Sequence, residues 1–295
     1  MDYIWHRWAA PAALCLALGG TAEAQDKAQY WLFRRTPDAL MRDMTTDRPD
    51  LTESPFTVDA GHIQVETNIF GYVRSRPDPD GVFTRSFEYA TTNVRIGLTN
   101  FAELNVVFAP HAVVKSHSPP VLGVTRQSGS GGVDLRLKVN LWGNDSFERP
   151  GATALAILPF VTIPSGWENG ISPPGVEGGL IVPFSVKLTD RWGLGVSGGF
   201  HVVRDEIPEP GVRPGTHTEW FSSASFGYEW TEKLGTYYEV AGRFNTGDPR
   251  GDVGVLGTGI TYKVTKNVQL DAGINFGITR AADRVNPFLG LSARF

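Results

Sequence analysis

Residues 133 to 142 read VDLRLKVNLW, in which Val133, Leu135, Leu137, Val139 and Leu141 alternate with Asp134, Arg136, Lys138 and Asn140. Every second residue is apolar and each one between is polar, which is the period of a strand with one apolar face. The fold turns on what that face touches.

The pattern recurs. Twelve alternating runs begin near residues 63, 94, 104, 133, 155, 180, 194, 220, 238, 256, 268 and 288. No window of 18 apolar residues interrupts them, so no helical membrane span is expected. Four connections are short and alike: LTNFAEL (98 to 104), LTDRWGL (188 to 194), WTEKLGT (230 to 236) and VTKNVQL (264 to 270). Each sets an apolar residue and Thr, then two further residues, before the next apolar residue, as a recurring tight hairpin would. WGNDSFERPG (142 to 151) completes the set. The other connections, 73 to 86, 110 to 131, 165 to 178, 203 to 217, 246 to 252 and 280 to 286, are generally longer and hold more of the Pro, Gly and charge than the short turns do.

Alternation alone is shared by soluble sheets, which hide the apolar face, and membrane barrels, which turn it to lipid. Three features favour the barrel. The runs approach the 9 to 11 residues, roughly, of a tilted crossing strand. Aromatics gather at run ends, with Phe101, Trp142, Trp192, Trp230 and Phe295 on the short-turn side and Tyr72, Trp220 and Phe244 nearer the long loops, as interfacial girdles require. The terminal FLGLSARF (288 to 295) alternates to its last residue, as expected of a strand that closes the barrel onto the first, because an open edge in lipid leaves backbone groups unsatisfied. The sequence therefore predicts an all-β transmembrane antiparallel barrel of about twelve strands, ten to fourteen at the limits, with short periplasmic turns and longer extracellular loops.

The alternate positions would line the interior: Arg95, Glu103, Asp134, Arg136, Lys138, Lys187, His201, Glu229, Glu239, Arg243 and Asp271. Both signs occur, so neither strong cation nor strong anion selectivity follows. A net charge of −4 over 295 residues points away from nucleic acid.

Residues 1 to 24 read as a secretory leader, with Arg7 opening a basic flank, an apolar core from Trp8 to Gly20, and a small-x-small site at Ala22-Glu23-Ala24. Cleavage is expected after Ala24. Cys15, the single cysteine, goes with the leader, so neither a disulfide scaffold nor a thiol enzyme is expected. His111 and His117 match no zinc spacing and read as solvated loop residues, and Gly129 to Gly132 lacks the strand and helix of a phosphate cradle. No cofactor is expected. A barrel hydrolase acting on lipid and a secreted β-sandwich binding protein are the alternatives.

Residues 25 to 60 are polar, Pro-punctuated and without period, and the barrel is assigned to 61 to 295. Asp47, Arg48, Asp50 and Glu53 are too charged to face lipid. Their segment either enters the lumen as a plug or constriction, pairing with Arg95, Arg136 or Lys138, or caps the periplasmic rim.

The stretch Thr46-Asp47-Arg48-Pro49-Asp50-Leu51-Thr52-Glu53-Ser54-Pro55, with Thr57-Val58-Asp59-Ala60-Gly61-His62 after it, the LTD-type turns and the run Gln269 to Asn275 carry a resemblance. The chain resembles the outer-membrane transporter family named for the meta-pathway of phenol degradation, over roughly residues 44 to 295. The resemblance implies a Gram-negative outer-membrane barrel in contact with its lipids, passing small aromatic or hydrophobic solutes by passive diffusion. It also implies that the barrel-assembly machinery reads the terminal Phe295, although Ala293 stands where such strands often carry an aromatic.

Overall fold

The computed structural model describes residues 27–118, 123–165, 171–205, 215–248 and 251–295. The leader and its cleavage site near Ala24 lie outside the described residues.

Alternation gives each run a polar and an apolar face, and hydrogen bonding on both edges joins the runs into one antiparallel sheet. Its segments are β1 Ile63–Arg74, β2 Phe83–Gly97, β3 Ala102–Phe108, β4 His111–His117, β5 Val124–Gly129, β6 Val133–Trp142, β7 Thr153–Ile163, β8 Glu177–Lys187, β9 Trp192–Arg204, β10 Thr216–Glu229, β11 Leu234–Phe244, β12 Val253–Thr265, β13 Val268–Gly277 and β14 Val285–Arg294. Fourteen segments make twelve crossings, because β3 with β4 and β5 with β6 are each one strand broken in the middle. β2 pairs with β3 along one half (Thr92↔Phe108) and with β4 along the other (Phe83↔His117).

β14 returns to β1 with Gln64 opposite Arg294 and Arg74 opposite Val285. The backbone of Phe295 completes the seam, its N–H donating to the Ile63 carbonyl at 2.8 Å and its carbonyl accepting from the Ile63 N–H at 3.3 Å. The barrel is closed, as a sheet in lipid must be.

Solvent-accessible apolar side chains mark the outer wall. Leu135, Leu137 and Leu141 are exposed while their alternates Lys138 and Asn140 are buried, the inverse of a soluble sheet. Phe101, Trp142, Trp192 and Trp230 are exposed at the short-turn end and Trp220 and Phe244 at the other. Tyr72 is half-buried against Phe87, ring centroids 5.3 Å apart.

The region 110 to 131, expected as a loop, instead holds β4 and β5, paired as a hairpin from Ala112↔Gly129 to His117↔Val124. Their sequences, HAVVKSH and VTRQSG, do not alternate apolar with polar residues, so the period that marks a crossing strand is missing there. His111 and His117 are accordingly strand residues, stacked on Tyr89 and Phe83. Four neighbouring strands bend at this level: β1 shifts register between Asn68 and Phe70, β2 passes through Ala90 at φ 55°, and breaks fall at Ala109–Pro110 and Ser130–Gly132. The Gly131 N–H donates to the Ala109 carbonyl at 2.9 Å and stitches the two breaks together.

Candidate functional site

Inward positions divide the lumen into two unlike halves. On β1, β2, β3 and β6 they are Gln64, Glu66, Arg95, Glu103, Asn105, Lys138 and Asn140, all buried. On β9 to β12 many are small, among them Gly195, Ser197, Ser223, Ser225, Gly227, Gly257 and Gly259. Large polar side chains reach in to bind something. Small ones leave space.

The charged half binds residues 45 to 58 of the same chain. The Asp47 carboxylate accepts from the Lys138 ammonium at 2.6 and 2.8 Å and lies 3.4 Å from Arg95 Nε. The Arg95 guanidinium, fully buried, also donates to Glu66 at 2.8 Å, to Glu103 at 3.0 Å, and to the Thr45 and Phe56 carbonyls. Three carboxylates and two cations thus share one network, which is the condition under which buried charge is tolerated. Burial alone would raise the Asp47 carboxyl, but Arg95 and Lys138 outweigh it and hold it down at about 2.

Beyond Asp47 the segment crosses the lumen. The Arg48 guanidinium donates to Asp271 at 2.8 Å and lies across Gly290, in the place a Cβ would fill. The Leu51 N–H and Thr52 hydroxyl donate to Glu239 at 2.9 and 2.6 Å, and the hydroxyl also meets Ser223 at 2.8 Å. Glu53 accepts from Arg136 at 2.7 Å, and Asn140 donates to the Pro55 carbonyl at 2.9 Å. The Val58 N–H donates to Glu103 at 2.6 Å. Asp50 is different. Among the described residues it makes no ion pair; it bonds Ser225, and burial followed by the Glu239 carboxylate pushes its carboxyl up to about 8.

A second set of bonds holds the segment at the short-turn end. Arg42 donates to Asn100, to Asp145 and to the Thr57 carbonyl, and its guanidinium pairs with buried Asp59 at 3.3 Å. The Arg294 guanidinium reaches in from β14 to the Arg42 carbonyl at 2.9 Å.

Two cavities border the segment. One of about 1520 Å³ opens on the short-turn side, between the segment and the small-residue wall around Gly195, Ser225, Gly227 and Gly235. The other, about 340 Å³, lies toward the long loops, lined by Leu51, Phe221, Val253 and Val255 among others. Asp50 and Thr52 border the first and Leu51 the second, so these three consecutive residues stand between them.

Of the residues singled out in sequence, Asp47, Arg48 and Glu53 meet Lys138 and Arg95, Asp271, and Arg136 respectively, and Glu239 takes Leu51 and Thr52. Asp134 supports Arg136 at 2.8 Å without touching the segment. Arg243 stands apart, 3.3 Å from Glu219 and beside the smaller cavity. Gln64, Glu66, Ser223, Gln269 and Arg294 were not anticipated as partners. Their parity placed them inward, but nothing in the sequence said which inward residues the segment would reach.

The family model described as MetA-pathway of phenol degradation matches residues 46–295. The chain belongs to this family. The match begins at Thr46, within the segment that enters the lumen, so the family pattern includes part of that segment as well as the barrel. Among curated proteins no sequence relative matches this family member. Among solved structures, the COG4313 outer membrane channel from Pseudomonas putida F1 is similar at 12% identity and a TM-score of 0.61, over 85% of this chain and 100% of that one. The NanC porin (10% identity, TM-score 0.47, 78% of this chain and 98% of that one) and a Pseudomonas aeruginosa FadL homologue (11% identity, TM-score 0.40, 79% of this chain and 90% of that one) superpose too loosely to carry an argument. At these identities the likeness establishes the fold, an outer-membrane-type barrel.

Proposed function

We propose that this family member is a passive outer-membrane channel for small, largely hydrophobic molecules, in which residues 46 to 56 set the width of the path. The reading rests on one observation above all: two lumen cavities, about 1520 and 340 Å³, meet at Asp50, Leu51 and Thr52. A solute crossing the barrel must pass or displace these three residues. Their anchorage is uneven. Asp47 is held by two buried cations, whereas Asp50 faces another carboxylate, so loosening is expected to begin around Asp50. Membership of a phenol-degradation family supports an aromatic or hydrophobic cargo, and transport rather than catalysis accounts for an interior built of ion pairs and open space. The proposed setting is the bacterial outer membrane after removal of the leader, with Phe295 read during assembly.

The test is single-channel recording in planar bilayers on protein whose gel mobility shifts on heating, compared with a chain lacking residues 46 to 53. The intact channel should pass little ionic current, and the shortened one should show discrete, larger steps. Equal currents from two demonstrably folded proteins would remove the constriction. A radiolabelled aromatic entering liposomes no faster with the intact protein than without it would remove the transport reading.

A further inference from the structure

The smaller cavity has chemistry of its own. Inward positions elsewhere in the barrel are mostly polar or small, yet here Leu51, Phe221, Ala241, Val253 and Val255 face the same space. Leu51 is 52% exposed although it sits inside the barrel. At about 340 Å³ the volume is at the lower end of ligand pockets, roughly 300 to 1,000 Å³.

One polar atom in this apolar lining lacks a partner. Asn275 is 8% exposed, and its Oδ1 accepts no hydrogen bond. The orientation of its amide is fixed by a chain of bonds. The Tyr72 carbonyl can only accept, so Asn286 turns its Nδ2 toward it at 3.0 Å. That leaves Asn286 Oδ1 to accept from Asn275 Nδ2 at 3.2 Å, and the free atom on Asn275 is therefore the oxygen. Gly257 makes room for it, since a Cβ there would stand 2.7 Å from Asn275 Oδ1. A buried acceptor without a donor is costly, and a donor brought by a ligand relieves the cost. Arg243, at the edge of the cavity, already pairs with Glu219, so nothing in the lining calls for an anionic ligand.

We infer that this cavity is a binding site for a small, neutral, mostly apolar molecule carrying one hydrogen-bond donor, the donor meeting Asn275 Oδ1 and the apolar body packing on Leu51, Phe221, Val253 and Val255. The inference deepens the channel reading by naming the solute class, and places a recognition step on the long-loop side of Leu51.

The experiment is equilibrium binding of 1-naphthol to the full mature chain in phosphatidylcholine nanodiscs, with empty nanodiscs as blank and 1-methoxynaphthalene as the same body without the donor. Saturable binding is expected, about tenfold weaker for the methoxy compound, as one hydrogen bond of about 1.4 kcal/mol gives. Asn275→Leu should lower naphthol affinity by a similar factor and leave the methoxy compound unchanged. Leu51→Ala, which keeps Asn275, should weaken both. Equal affinities for the two probes, or naphthol binding indifferent to both substitutions, would overturn the site. Flux through liposomes separates the two readings: flux without saturable binding removes the pocket and keeps the channel, whereas binding without flux does the reverse.

Discussion

Arg95 is the side chain on which the interior most depends, because it meets Asp47, Glu66 and Glu103 without any exposure to solvent. Arg95→Leu would leave three carboxylates facing Lys138 alone. Breaking a buried ion pair from one side costs about 3 to 5 kcal/mol, so the temperature at which gel mobility shifts should fall, and hydrogen exchange at residues 45 to 58 should rise. Asp50 gives a prediction of opposite character. With its carboxyl at about 8 against an ordinary 3.8, the docked segment holds a proton that a released segment would lose. Between those two values the docked state binds more protons, so docking weakens as pH rises and its proton-linked part is gone once pH passes through about 8. Hydrogen exchange at residues 48 to 53 should therefore accelerate with pH beyond its intrinsic dependence, and Asp50→Asn should abolish that excess.

Strands and the segment were unequally legible. The runs at 133 to 141 and 268 to 278 fixed their own faces, because lipid on one side and lumen on the other leave a strand little choice of register. The hairpin at 111 to 129 carried no such pattern: neither HAVVKSH nor VTRQSG sets apolar residues at every second position. For residues 45 to 58 the sequence excluded lipid and left two places open; their path became visible only with the wall around them. Gly290 shows how element and segment interlock: β14 gives up a side chain there so that the Arg48 guanidinium can lie against it. Gly290→Val would suit a strand by propensity, yet it should push Arg48 off Asp271. The expected result is an intact barrel by gel mobility with exchange at residues 47 to 52 faster by about tenfold, equivalent to about 1.4 kcal/mol. Unchanged exchange would mean that Arg48 does not anchor the segment.

For the whole molecule, the decisive property is that the apolar face looks outward. Leu137, exposed at the middle of β6, should tolerate charge poorly: Leu137→Arg is expected to cost about 2 to 4 kcal/mol, as a cation does at the midplane of a barrel's lipid face. Gly227 borders the large cavity, and a Cβ there meets nothing within 4 Å. Gly227→Lys should therefore change stability by less than about 0.5 kcal/mol. Unfolding titrations of both variants in liposomes check the contrast, and the reverse order would invert the barrel. Period, length and turn spacing determined the all-β class, the twelve crossings and the direction each side chain of the alternating runs faces, because those follow from local alternation and from lipid as solvent. The tertiary structure alone decided that residues 45 to 58 run through the lumen, that Arg48 reaches Asp271 and that Asn275 keeps a free oxygen. These depend on which inward residues from distant strands share a level of the barrel, and closure sets that level through a register no single strand contains.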